Sequence, residues 1–121
     1  MTEKENSKRY DLEDRTLEFA KRVRKFVAGL KKTLANMEDG KQLIRSSGSI
    51  GANYIEANEA LSKKDFLMRI KICRKEAKES RYWLKLVDTD GKEKLEKQRE
   101  ALENKARELT HIFGSIVTKS K

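Results

Sequence analysis

The sequence predicts an all-α protein, an antiparallel up-down-up-down four-helix bundle, on three observations. The chain has 121 residues and no proline, so nothing inside a helix removes a backbone donor or clashes with the preceding turn. Apolar residues recur at alternating three- and four-residue steps along most of its length, the period of a helix that buries one face. Short turn or capping signals separate these runs, and short connections make successive helices antiparallel neighbours.

Helix 1 is expected from about Asp11 to Glu38. Ala20, Val23, Val27, Leu30, Leu34 and Met37 form its seam, with Phe19 and Phe26 one residue earlier in each heptad. That wider apolar face suits contact with two neighbours. Asp39-Gly40 reads as the turn. Helix 2 follows with Leu43, Ser47, Ile50 and Tyr54 in one row and Ile44, Gly51 and Ile55 beside it. Gly48 and Gly51 each cost about 1 kcal/mol relative to Ala inside a helix. The crowd of small residues from Ser46 to Ala52 therefore predicts close approach of neighbouring helices rather than a ligand-grasping loop.

Glu56 to Leu61 reads as the connection to helix 3. Ser62 through Asp65 resembles a capping box with Asp in place of Glu, just ahead of Phe66. The seam of helix 3 is Phe66, Ile70, Cys73, Ala77, Ser80, Leu84 and Val87, ended by the Asp90-Gly91 turn. Helix 4 carries Leu95, Leu102, Leu109 and Ile116, with Ala106 and Phe113 alongside. Glu93 with Lys97, and Glu103 with Arg107, are i to i+4 pairs on its outer face. The bundle proper thus spans residues 11–118, with flexible ends at 1–10 and 119–121.

Composition bounds the function classes. Apolar residues make up 36% and charged residues 40%, the balance of long amphipathic helices that keep half their surface wet. Cys73 is the only cysteine, which fits a reducing compartment and a small core residue. No apolar run approaches a membrane span or a secretory signal, so a cytoplasmic protein without a membrane partner is expected. The net charge of +9 favours polyanionic partners.

Antiparallel helices that reverse near residues 60 and 61 bring together residues whose numbers sum to about 121. Arg45 then faces Glu76, and Gln42 faces Glu79. The expectation is a partly buried Arg45–Glu76 ion pair that fixes register, with Glu76 and Glu79 simply solvated as the alternative.

No catalytic constellation emerges, and the chain reads as a non-enzyme without cofactor or metal. The serines near Ser46 lie within a helix, with no strand-turn-helix elbow to expose one. The lysine and the flanking strand of a phosphate-binding loop are missing around Ser46 to Asn53. Glu108 with His111 matches one Glu-x-x-His motif, but a di-metal bundle needs two copies and two further carboxylates, and His111 is the single histidine.

Basic residues carry the stronger signal. Lys21, Arg22, Arg24, Lys25, Lys31 and Lys32 lie in a stretch from Phe19 to Met37 without an acidic residue, and Lys63, Lys64, Arg69, Lys71, Arg74 and Lys75 surround only Asp65 in the first half of helix 3. Arg24, Lys25, Lys31 and Lys32 are expected to share the outward face of helix 1. Such a stripe tracks phosphates without reading sequence.

The segments QLIR at 42–45, SIGAN at 49–53, EA at 56–57, SKKDF at 62–66, EAKE at 76–79 and YWL at 82–84 form an ordered series. Over about Leu12 to Val117 the chain resembles the four-helix-bundle proteins first known from intervening sequences in bacterial large-subunit ribosomal RNA genes. The accessory variability determinants of diversity-generating retroelements are related to that family. The resemblance implies a bacterial, ring-like homopentamer with a basic surface and a role in binding RNA or DNA. A reverse transcriptase or another protein is then a candidate partner. Many family members have Pro where this chain has Gly51, and Gly where it has Ala57. The competing expectation is a protein-interaction scaffold without nucleic acid, using apolar flanks around Phe19, Phe26 and Tyr82.

Overall fold

The computed structural model describes the backbone of residues 3–120 and the side chains of residues 11–120. Four helices follow one another: α1 (Glu3–Gly29), α2 (Leu34–Asn58), α3 (Lys63–Leu86) and α4 (Glu93–Ser120). Each packs along two neighbours, α1 with α2 and α4, and α3 with α2 and α4. Backbones of the diagonal pairs do not approach among the described residues. This is the closed square of an up-down-up-down bundle, with helices of roughly 36–42 Å at 1.5 Å per residue.

The inward faces follow the apolar rows. Phe19, Val23 and Phe26 of α1 are fully buried with Leu43 and Ile50 of α2, Ile70 and Leu84 of α3, and Leu102, Leu109 and Phe113 of α4. The Tyr54 and Phe113 rings span the α2–α4 diagonal at 5.8 Å between centroids, tilted by 55°. Phe19 and Phe26 are therefore core residues, not an exposed flank for partners. They sit at the centre of the buried face of α1, between the rows turned toward α2 and α4. Of the three aromatics expected outside, Tyr82 alone is exposed.

The first turn falls earlier than the sequence suggests. α1 ends at Gly29 and α2 starts at Leu34, so Leu34 and Met37 leave the helix 1 seam and are exposed. Asp39 and Gly40 are helical. Gly40 is buried because a Cβ there would lie 3.1 Å from Val27 Cγ1; it is a packing glycine, not a turn glycine. Thr33 provides the cap, its hydroxyl accepting from the Asn36 amide at 3.1 Å. The Asn36 side chain donates to the Lys31 and Asp88 carbonyls and accepts from the Asp88 amide, each at 2.9 Å. One buried amide thus ties the first connection to the third.

The other boundaries are closer to expectation. α2 runs on to Asn58 through part of the segment read as connection. Ser62 caps α3, its hydroxyl accepting from the Asp65 amide at 3.1 Å. Asp90 and Gly91 make the last turn with φ of +58° and +68°, and Gly91 takes that conformation without a Cβ penalty. Arg99 of α4 closes the end of α3, donating to the carbonyls of Leu84 at 3.3 Å and Val87 at 2.5 Å. It satisfies acceptors that a helix C-terminus leaves free. The Glu93–Lys97 pair forms at 3.2 Å, while Arg107 bonds Asn104 instead of Glu103. α1 is helical from Glu3 and α4 continues to Ser120; of the two ends read as flexible, Met1, Thr2 and Lys121 lie outside the described residues.

The small residues of α2 do bring helices together. A Cβ on Gly51 would stand 2.9 Å from Thr16 Oγ1 and 3.3 Å from Thr16 Cβ, so α1 crosses α2 at van der Waals contact there. On the other side of α2, the Ser46 and Ser80 hydroxyls meet at 2.9 Å inside the α2–α3 interface.

Candidate nucleic-acid interface

The packing of α3 determines what it shows to solvent. Ile70, Cys73, Ala77, Ser80 and Leu84 are buried, so the opposite side of the helix faces out. Lys64, Met68, Lys71, Lys75, Lys78, Tyr82 and Lys85 occupy that side at alternating four- and three-residue steps, and all are exposed. The row is about 31 Å long at 1.5 Å per residue. α3 carries nine basic residues against three acidic ones, and two of the acids, Glu76 and Glu79, lie on the flank turned toward α2. Glu76 is buried, Glu79 pairs with Arg45, and Asp65 lies beside the cap. The outer row is therefore cationic along its length.

The basic residues singled out in the sequence are distributed over three places. Lys64 and Lys71 belong to the α3 row, with Lys63 beside its start. Lys21 and Lys25 point outward from α1, on the far diagonal of the bundle. Arg22 is half-buried in the groove between α1 and α4, near Lys105. Arg24 folds over α2, with Nη2 3.3 Å from where a Cβ on Gly48 would be, and Nη1 donating to the Ala20 carbonyl at 3.1 Å. Lys31 and Lys32 are not on the helix face at all; they are exposed in the connection between α1 and α2. That connection is at the Asp88 end of the bundle, whereas Lys63 and Lys64 are at the other end, near Lys119. The expected helix 1 stripe of Arg24, Lys25, Lys31 and Lys32 is thus broken by the chain reversal at Leu30. Lys75, already in the basic first half of helix 3, joins the α3 row, and Lys78 and Lys85 complete it; continuing the step from Lys64 through Lys71 along the sequence would have found these two.

The polar register between α2 and α3 is built around Arg45. Its Nη1 lies 3.4 Å from Glu76 Oε2 and its Nη2 3.2 Å from Glu79 Oε2. Glu76 is 4% exposed and has Lys75 Nζ at 3.9 Å from its other oxygen. Gln42 does not cross to Glu79; its carbonyl oxygen accepts from Arg45 Nε at 3.4 Å. Arg45 reaches Glu79 itself, leaving Gln42 to orient the guanidinium from its own helix.

Other groups with chemical potential are engaged structurally. Ser46 and Ser47 donate to the carbonyls of Leu43 and Ile44 in their own helix. The Cys73 thiol donates to the Ile50 carbonyl at 3.4 Å, and burial pushes its pKa up to about 12, which keeps it protonated and unreactive. His111 is exposed. No group of three or more metal-binding side chains gathers among the described residues.

The family model for 23S rRNA-intervening sequence proteins matches residues 8–115, nearly the whole bundle. The chain belongs to the 23S rRNA-intervening sequence protein family. A solved relative agrees: a protein with unknown function from the S23 ribosomal protein family of Bacteroides thetaiotaomicron, 34% identical, covering 87% of this chain and 96% of its own, with a TM-score of 0.73. No curated protein matches. Among the described residues no helix is long and apolar enough to cross a membrane.

Proposed function

We propose that this intervening-sequence protein is a non-enzymatic homo-oligomer that binds the phosphate backbone of RNA or DNA along the outer face of α3. The observation that carries the reading is the segregation of charge on that helix. Lysines repeat over about 31 Å of exposed surface while Glu76 and Glu79 turn toward α2, where Arg45 pairs with both. Ammonium groups on flexible stems suit phosphates as point charges and read no base sequence. The family's name, tied to ribosomal RNA genes, is consistent with such a partner.

In this reading self-association adds avidity, since repeated weak surfaces on one assembly reach affinities that one copy lacks. Leu17 on α1, and Met37 and Ile55 on α2, are each about half exposed on the α1–α2 side. This apolar rim is away from the lysine row and offers a subunit contact, with the pentamer implied by the family resemblance as the expected assembly. The competing reading, a protein-interaction scaffold, uses the same rim without the lysines.

The test is a salt titration of binding to mixed-sequence RNA and DNA, run beside a mass measurement of the assembly. The triple substitution Lys71→Glu, Lys75→Glu and Lys78→Glu should weaken binding and lower the slope of log K against log salt by roughly three. Charge reversal at Lys21 and Lys25 tests the α1 surface in the same way, and reversal at Lys94 and Lys97 of α4 is the control. Affinity unchanged by the α3 triple removes that face, and no affinity at low salt leaves the scaffold.

A further inference from the structure

Resting on that reading of the α3 row, we infer that the surface takes single-stranded rather than duplex nucleic acid, with Tyr82 as the platform on which an unpaired base stacks. Tyr82 is 58% exposed and interrupts the lysines within the same row. Lys78 precedes it by one turn, about 6 Å, and Lys85 follows about 4.5 Å on. A lysine is therefore rooted in the backbone on either side of the tyrosine along the helix axis. A strand laid along the row meets a cation, an aromatic face and a cation in succession.

The ring is braced without being covered. Trp83 lies 5.0 Å away between centroids at an interplanar angle of 79°, so the two rings do not stack face to face and at most one face of Tyr82 is occupied. Trp83 is partly buried against the core, which holds the pair in place and lowers the entropic cost of presenting the platform. Met68 adds a second exposed apolar side chain farther along the row.

This chemistry discriminates strandedness. In a duplex each base has its faces covered by its neighbours, so a side chain outside the helix meets phosphates, sugars and base edges but no free π-face. An unpaired base has a free π-face, and stacking on an aromatic side chain is tolerant of sequence. A row built solely for duplex backbone would gain nothing from an exposed tyrosine placed between lysines.

The experiment compares a mixed-sequence single strand, as RNA and as DNA in separate arms, with the duplex of the same length. Tyr82→Ala should weaken single-strand binding roughly five- to hundred-fold and leave duplex binding unchanged, while Tyr82→Phe keeps wild-type affinity for both. Trp83, the single tryptophan, should change its emission when the wild-type protein is saturated with the single strand. Because Tyr82 is exposed, helix content by circular dichroism checks that each variant folds, and Tyr82→Leu separates π-stacking from apolar contact. Equal losses on single strand and duplex, or no loss in Tyr82→Ala, overturn the inference while the α3 lysine triple still weakens binding. Failure of the lysine triple to weaken either ligand overturns both readings.

Discussion

Replacing Gly51 by Ala tests whether the glycines of α2 are there for helix contact. In an open helix this substitution stabilises by about 1 kcal/mol, because Ala loses less backbone entropy. Here the added methyl would sit 2.9 Å from Thr16 Oγ1 and 3.3 Å from its Cβ, with the Thr16 carbonyl carbon at 3.9 Å. Thr16 is buried and its hydroxyl donates to the Leu12 carbonyl at 2.8 Å and contacts the Glu13 carbonyl at 3.1 Å. Rotating the side chain away gives up those bonds, and shifting α1 disturbs the Phe19 layer. Overpacking of this kind costs roughly 1–3 kcal/mol, so the net effect of Gly51→Ala should be a loss of about 1 kcal/mol. In a Thr16→Ala background the 2.9 Å contact with Oγ1 is gone and only the 3.3 Å contact with Cβ remains, so the same substitution should be close to neutral, a coupling of about 1 kcal/mol in the double-mutant cycle. Gly114→Ala is the control: its methyl would meet Arg74 Cδ at 3.7 Å, an ordinary contact, and should stabilise by about 0.5–1 kcal/mol. Urea unfolding followed by far-UV circular dichroism at fixed protein concentration measures all four variants. Gly51→Ala stabilising as much as Gly114→Ala would refute the close-contact account.

Three further predictions concern the interior and the turn. Arg45→Met leaves Glu76 buried with only the longer Lys75 contact and should cost about 2 kcal/mol, part of which Glu76→Leu restores; zero coupling in that cycle rejects the ion pair as a register device. Cys73 should resist thiol reagents at pH 8, with a rate that rises with denaturant as the bundle opens, because burial holds its pKa near 12; modification as fast as that of a free thiol contradicts the packing. The Thr89 hydroxyl, followed by Arg99, holds the Glu96 carboxyl below its ordinary 4.5. A depressed carboxylate stabilises the fold above its unfolded pKa, and that contribution disappears as pH falls through the lower folded value. The stability gap between wild type and Thr89→Val should therefore shrink below about pH 4, and a gap independent of pH would remove the carboxylate from the account.

The Arg45–Glu76 contact was legible in the sequence because antiparallel geometry needs little beyond the position of one turn. Gln42 was misassigned to Glu79 since a register sum locates a residue to within a helical turn, whereas an arginine long enough to reach two carboxylates takes both. The turn at Asp39-Gly40 was wrong for a related reason. The same dipeptide serves as a reversal when exposed and as a close-packing site when another helix lies across it, and Val27 lies across Gly40. Thr33 and Asn36 were the better signal, a cap followed by a buried amide that holds the Asp88 turn.

By itself, the sequence determined the helical class, four helices and most of the buried faces, because an apolar row at helical spacing is a local property of the chain and the absence of proline leaves it uninterrupted. Tertiary structure alone decided which charges act together. It turned Lys31 and Lys32 into an end of the bundle, sent Lys21 and Lys25 to the diagonal opposite α3, buried Phe19 and Phe26, and left Lys64 through Lys85 as one continuous row with Tyr82 inside it. The physical reason is that a helix face is defined by what packs against the others: α2 and α4 must be in place before the outward side of α3 exists.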